Sequence, residues 1–191
     1  MGHSLTARER LLSGAIEVLA RRGIHRASTR SIAEAADVNE VTLFRLFGSK
    51  EALIVEALDS HARALSLPRL PAHARNPLLE LTTWAIQFHR SMRRSQALAR
   101  RVIGESDQQP EMGAWAEATI GRAQRDLDRY LRRLGRNRAV KARDVEAAGE
   151  MLVAALAATA LSLPIVPRHP RDSEETAEVQ VSLFLRAIGL G

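Results

Sequence analysis

The sequence predicts an all-α fold, and three observations carry that expectation. Ser28, Asn39 and Ser49 each stand just before a run of apolar residues at helical spacing, where a side-chain oxygen can accept from an unpaired N–H of the first turn. The longer segments are rich in alanine and poor in glycine, a composition that favours helix. Prolines and polar clusters gather at the breaks between these runs.

Thr6 to Arg22 reads as the first helix, with Leu12, Ala15, Ile16 and Leu19 as its inner face and Gly23 as its end. Arg21, Arg22 and Arg26 surround that end, where cations suit the helix dipole. The second helix follows Ser28 and sets Ile32, Ala33 and Ala36 on one face. Two of those three are alanines, so a neighbouring helix can approach closely. Asp37-Val38-Asn39 supplies a tight turn, in which Asp tolerates the left-handed conformation and Val38 plugs the core beneath the bend. Asn39 caps a third helix, Glu40 to Phe47, with Leu43 and Phe47 inward and Gly48 as its stop. Ser49 opens a fourth, running to about Leu65, with Leu53, Ala57 and either Leu58 or His61 along one side.

Pro68, Pro71 and Pro77 then mark a loop or hinge, and helix resumes from Leu78 to Arg94 with Leu81, Trp84, Ala85 and Phe88. A shorter helix spans about Ala97 to Gly104. Glu111 to about Leu134 reads as one long amphipathic helix, its apolar stripe formed by Ile120, Ala123, Leu127, Leu131 and Leu134. Arg122, Arg125, Arg129, Arg132, Arg133 and Arg136 form a basic stripe, a pattern that is ordinarily a solvated face. Arg143 to Leu163 follows, and its stretch MLVAALAATALSL is apolar almost all round. That stretch falls short of the roughly twenty apolar residues a bilayer requires, so burial on every side is expected. The last helix, Glu174 to Leu190, carries Val181, Leu183, Phe184, Leu185 and Ile188 on a broad apolar face. Pairing the last two helices with their copies across a two-fold axis would cover both. Ala154, Ala155 and Ala158 would permit the close approach. The expected interface is Leu152, Ala155, Leu156, Thr159, Leu163, Val181, Phe184, Leu185 and Ile188.

Composition excludes several classes. The 191 residues suffice for one large core or two small ones, and 46% are hydrophobic. With no cysteine there is neither a disulfide framework nor a thiolate metal site. The six histidines are scattered, with no pair at a zinc-ligand i, i+4 spacing. No G-x-S-x-G elbow, glycine-rich phosphate loop or G-x-G-x-x-G is present, so neither cofactor nor metal is expected. The absence of a charged-then-apolar leader predicts a cytoplasmic location. The net charge of +6 is denser in residues 1–50, which is compatible with nucleic acid. On these grounds three readings stand side by side: a ligand-gated DNA-binding protein, a helical enzyme with dispersed catalytic residues, and a helical protein of membrane surfaces.

The order T-R-x-I-A-x-A-A-x-V-x-x-x-T-L-F-R-x-F-x-S-K-E-A-L, from Thr29 to Leu53, resembles the DNA-binding domain of TetR/AcrR-family transcriptional regulators. The likeness is dense from about Leu12 to Leu58. Asp37 stands where the family commonly has glycine, Val41 where a small residue is common, and Phe44 where tyrosine is usual. The last change removes a phenolic contact to phosphate while keeping the ring's packing. The resemblance implies a three-helix helix-turn-helix DNA-binding domain over 1–50. It further implies a helical bundle over 51–191 that dimerises through its last two helices and holds a ligand pocket. The function it implies is a homodimeric repressor on a palindromic operator of double-stranded DNA, with no enzymatic activity and no membrane role. Ser28, Thr29, Arg30, Asn39, Glu40, Val41, Thr42, Phe44, Arg45 and Lys50 are then the expected DNA contacts. Thr29 and Arg30, at a helix start, would sit on the phosphate backbone, and Lys50 would bind a phosphate. Glu40, Val41, Thr42 and Arg45 would face the major groove. A small apolar or amphipathic effector would release the DNA. Trp84, Phe88, Met92, Met112, Trp115 and Met151 are wide and apolar enough to line its pocket, although such residues ordinarily fill cores.

Overall fold

The computed structural model describes residues 5–65, 67–105, 110–135, 142–162 and 173–189, and these contain helices and no strands. They are α1 (Ala7–Arg22), α2 (Thr29–Ala35), α3 (Glu40–Phe47), α4 (Lys50–Ala64), α5 (Pro77–Arg94), α6 (Gln96–Glu105), α7 (Pro110–Ala116), α8 (Arg122–Gly135), α9 (Ala142–Ala160) and α10 (Ser173–Ala187). Two compact units divide the chain. The first takes the described residues of 1–65 and 97–118, and the second those of 66–96 and 119–191. The division therefore falls beyond residue 50, with α4, most of α6 and all of α7 packed into the first unit.

Within the first unit α1 is the central helix, touching α2, α3 and α4. Its buried face is Leu11, Gly14, Ala15, Val18 and Leu19, rotated from the expected one, with Leu12 and Ile16 half-buried on the flank. The rotation has a physical reason in Gly14. A Cβ there would stand 3.1 Å from the Ala36 Cβ and 3.2 Å from the Ile32 carbonyl oxygen, so α1 and α2 meet at this point. Ile32, Leu43, Leu53 and Ile54 complete the core, each at most 1% exposed. Far along the chain, α6 returns to the end of α1. The Glu105 carboxylate accepts from the Ile24 N–H at 2.9 Å, and Arg101 donates to the Arg21 carbonyl at 3.1 Å. Gly23, at φ 74°, leaves the room: a Cβ there would lie 2.1 Å from Glu105 Oε1. The α7 helix packs on α4, where Trp115 stacks on His61 at 6.3 Å.

In the second unit α5 lies against α9 and α10, and α9 also touches α8 and α10. Trp84 and Phe88 stack at 5.6 Å in its core, beside fully buried Leu81 and Met92 on the same helix. The expected single helix from Glu111 to Leu134 is broken by a π-helical turn, Glu117–Gly121. Tyr130, well inside α8, is buried and donates to Glu80 Oε2 at 2.6 Å. Burial alone would raise the Glu80 carboxyl, but the Tyr130 hydroxyl and the N–H groups of Arg75 and Asn76 outweigh it and hold it low. Within the single chain α9 keeps one open side, where Met151 is 72% exposed and Ala154 is exposed beside it. No helix among the described residues is long and apolar enough to cross a membrane.

Candidate nucleic-acid interface

The turn between α2 and α3 is built by short-range hydrogen bonds and one long reach. Ser28 Oγ accepts from the Ser31 N–H and Ser31 Oγ accepts from the Ser28 N–H, both at 3.1 Å, so the start of α2 is closed by a reciprocal pair. Asn39 Oδ1 accepts from the Val41 N–H at 2.8 Å and sets the start of α3. Between them Asp37 takes φ 51°, the left-handed conformation that its position in the turn demands. Arg10, from α1, donates to the Asp37 carbonyl at 3.1 Å and stands 3.7 Å from its carboxylate. The bend is therefore tied to the helix behind it.

One side of α3 points inward and the other into solvent. Leu43 is fully buried, while Val41 is 73% and Phe44 49% exposed, with Arg45 exposed next to them. The Phe44 ring, expected to stay packed, is about half exposed. Phe47 is half-buried beneath the Arg8 guanidinium, 4.5 Å from the ring centre. Arg8 also pairs with Glu56 and donates to the Leu46 carbonyl at 3.2 Å, so it joins α1 to the end of α3 and to α4. Glu40 accepts from the Thr29 hydroxyl, linking the starts of α3 and α2. Thr42 is half-buried. Arg30 is exposed and pairs with Glu34 at 2.9 Å. A shallow cleft of about 530 Å³ runs between the two helices, lined by Arg30, Ala33, Glu34, Asp37, Val38, Asn39 and Glu40. Lys50, in the first turn of α4, is half-buried 4.0 Å from Glu51. It shares a hollow of about 160 Å³ with Ile24, His25, Ile54 and Glu111. An α-helix fits the B-DNA major groove, roughly 12 Å wide, and α3 presents one side of the right size and chemistry.

Residues 11–57 match the family described as bacterial regulatory proteins, tetR family, and residues 79–189 match the C-terminal domain of AefR-like transcriptional repressors. The chain belongs to the TetR family of transcriptional regulators. TetR-family proteins bind DNA, act as dimers and are not enzymes. An uncharacterized HTH-type transcriptional regulator of Bacillus subtilis (strain 168), YvkB, is 37% identical over 54 residues, 28% of this chain and 29% of its own length. The HTH-type transcriptional regulator LuxR of Vibrio harveyi is 35% identical over 89 residues, 44% of this chain and 43% of its own length. The chain thus spans less than half the length of these curated relatives. The crystal structure of a transcriptional regulator from Rhodococcus sp. Rha1 superposes with a TM-score of 0.72 at 19% identity, covering 95% of this chain and 97% of that one.

Set in this TetR-family frame, the expected site residues part into groups. The ten expected DNA contacts all lie on or beside α2, α3 and the first turn of α4. The six expected pocket residues divide between the two units. Met112 and Trp115 are core residues of the first unit, Trp84, Phe88 and Met92 are core residues of the second, and Met151 points outward. Of the expected interface residues, Leu152, Leu156, Val181, Phe184 and Leu185 are buried inside the single chain, where α9 and α10 face α5 and each other. Ala155, Thr159 and Ile188 are half-buried, and the Thr159 hydroxyl donates to the Ala155 carbonyl at 2.9 Å. Leu163 lies outside the described residues. Arg8 and Arg10 escaped sequence reasoning because their partners, Glu56 and Asp37, are distant in the chain; only arginine on the outer face of the first helix hints at them.

Proposed function

We propose that this TetR-family chain is a homodimeric repressor that binds a palindromic operator and is released by a small apolar or amphipathic molecule. The observation that carries the DNA half is the solvent-facing side of α3, where Val41, Phe44 and Arg45 project from a helix whose opposite side is locked into the core. Residues 1–50 carry the contacts. Arg45 reads a base edge, most favourably guanine, while Arg30 and Lys50 hold phosphates. Two copies read two half-sites about one helical turn apart.

Dimerisation is supported by the apolar surface that α9 and α10 leave open. Met151 and Leu183 are 72% and 57% exposed, with Ala154 exposed and Ala158, Val179 and Ile188 half-buried alongside. This strip replaces the buried residues of the initial expectation as the interface. The effector half rests on the likeness of residues 79–189 to a repressor's C-terminal domain. Trp84 Nε1 and His89 Nδ1, both buried without a partner among the described residues, offer polar handles for a ligand that opens the core.

Selection of bound duplexes from random DNA tests the reading. A palindromic motif is expected, with Lys50→Ala weakening all operator variants alike and making the log–log salt slope shallower by about one. Arg45→Ala should cost roughly 1–3 kcal/mol on the best operator and relax preference at one base pair per half-site. Uniform loss in the Arg45 variant would make Arg45 a phosphate contact. For the effector, ligands that quench tryptophan fluorescence should weaken DNA binding, since an inducer acts only through unequal affinity for two conformations. Quenching without any change in the DNA dissociation constant removes that part of the proposal.

A further inference from the structure

The hollow at the start of α4 holds two carboxylates and one ammonium. Lys50 lines it with a side chain only 31% exposed, and the carboxylate paired with it, Glu51, stands 4.0 Å away, too far for a hydrogen bond. From α7 comes Glu111, whose helix is fixed against α4 by the buried Met112 and Trp115. One oxygen of Glu111, Oε2, is buried and accepts from no donor among the described residues. An acceptor shut away from water without a donor is costly. Lys50 brings the only full positive charge in the lining, and an ammonium has three N–H groups to give. Ile24 and Ile54, both buried, wall the hollow with carbon, which strengthens charge interactions inside it. A DNA phosphate docking at the start of α4 would have to draw the ammonium away from two carboxylates and then face them.

We propose that Glu111 is a built-in brake on operator affinity: its carboxylate competes with the DNA phosphate for the Lys50 ammonium. The proposal rests on the phosphate-holding role given to Lys50 above. It makes α7, which carries no DNA contact of its own, a determinant of how tightly every operator variant is held.

The test uses the full-length chain and the operator recovered by selection. Glu111→Gln keeps the size of the side chain, so the helical circular dichroism should hold while operator affinity rises about threefold, the scale of one partly exposed ion pair. Glu111→Ala should give the same gain, and neither variant should change the preference at any base pair. In a Lys50→Ala background the gain should all but vanish, because the two residues act on one interaction. A second reading needs no DNA. Lys50 and Lys141 are the only lysines, so isotope-labelled lysine gives two sets of side-chain NMR signals, and the set missing in Lys50→Ala is that of Lys50. Glu111→Gln should move the Lys50 set and leave the Lys141 set in place. Unchanged or weaker operator binding in Glu111→Gln overturns the proposal, as does a Lys50 signal indifferent to that substitution. A gain that persists in full without Lys50 is a general charge effect and overturns it too. Failure of Lys50→Ala to weaken binding removes the phosphate role of Lys50 and this proposal together, whereas a weakened Lys50→Ala beside a neutral Glu111→Gln removes this one alone.

Discussion

Two surfaces of this chain leave large apolar side chains in water, and their neighbours differ. On α3, Val41 and Phe44 sit beside Arg45, and both ends of the helix are fixed by hydrogen bonds to other helices or to caps. On α9 and α10, Met151 and Leu183 are accompanied by small or aliphatic residues, Ala154, Ala158 and Val179. Carbon mixed with cations suits a polyanion that also carries methyl groups. Carbon flanked by alanine suits a second helix, because small side chains let backbones approach. The same exposed area therefore points to different partners once the surrounding charge is counted.

The comparison breaks most visibly at Leu156 and Met151, which lie five residues apart on α9 but face different surroundings. Leu156 is fully buried in its own chain, so Leu156→Arg should cost more than about 4 kcal/mol and unfold the second unit, seen as loss of helical circular dichroism. Met151→Arg should keep the full helical signal yet sediment as a monomer with weakened operator binding. A dimeric Met151→Arg protein would remove the exposed strip from the interface.

Acid sharpens the second unit. Burial, aided by the Arg93 charge, pushes His89 down to about 4 from an ordinary 6.5, so the folded chain keeps it neutral where the unfolded chain protonates it. Its contribution is therefore present above pH 6.5 and declines as the pH falls toward 4, on the order of 3 kcal/mol across that window. His89→Leu should flatten this part of the urea-midpoint profile against pH. A smaller effect is expected in the head: Asn39→Ala should lower stability by about 1 kcal/mol in chemical denaturation, because one first-turn N–H loses its acceptor. Smallest for the fold is Arg30→Ala. Its pair with Glu34 is solvent-exposed, so the melting temperature should hold while operator affinity drops and its salt dependence eases.

How much of this was legible in the sequence follows from how far each determinant reaches. Ser28, Asn39, Gly48 and Ser49 act within a few residues, and the ends of α2, α3 and the start of α4 fall where those residues predict. The inner face of α1 was less legible, since apolar residues occupy both flanks and Gly14 carries no hydrophobic signal. The outward turn of Met151 could not be read, because MLVAALAATALSL contains no charged residue to mark the open side. Tyr130 hid among arginines, and its reason to be buried is a carboxylate fifty residues earlier. The π-helical turn at Glu117–Gly121 interrupts a helical pattern that continues on both sides without any proline to mark the break.

The Glu105 carboxylate on the Ile24 N–H makes the first unit a discontinuous one in sequence. A fragment cut after residue 65 would keep every recognition side chain but lose the cap at the end of α1 and the Trp115 face against His61. It would expose apolar surface that the intact protein covers. Building a hybrid regulator from this chain therefore requires a graft with two seams. The head must travel with residues 97–118, and Gly23 must stay glycine in any recipient that supplies an acid at that helix end.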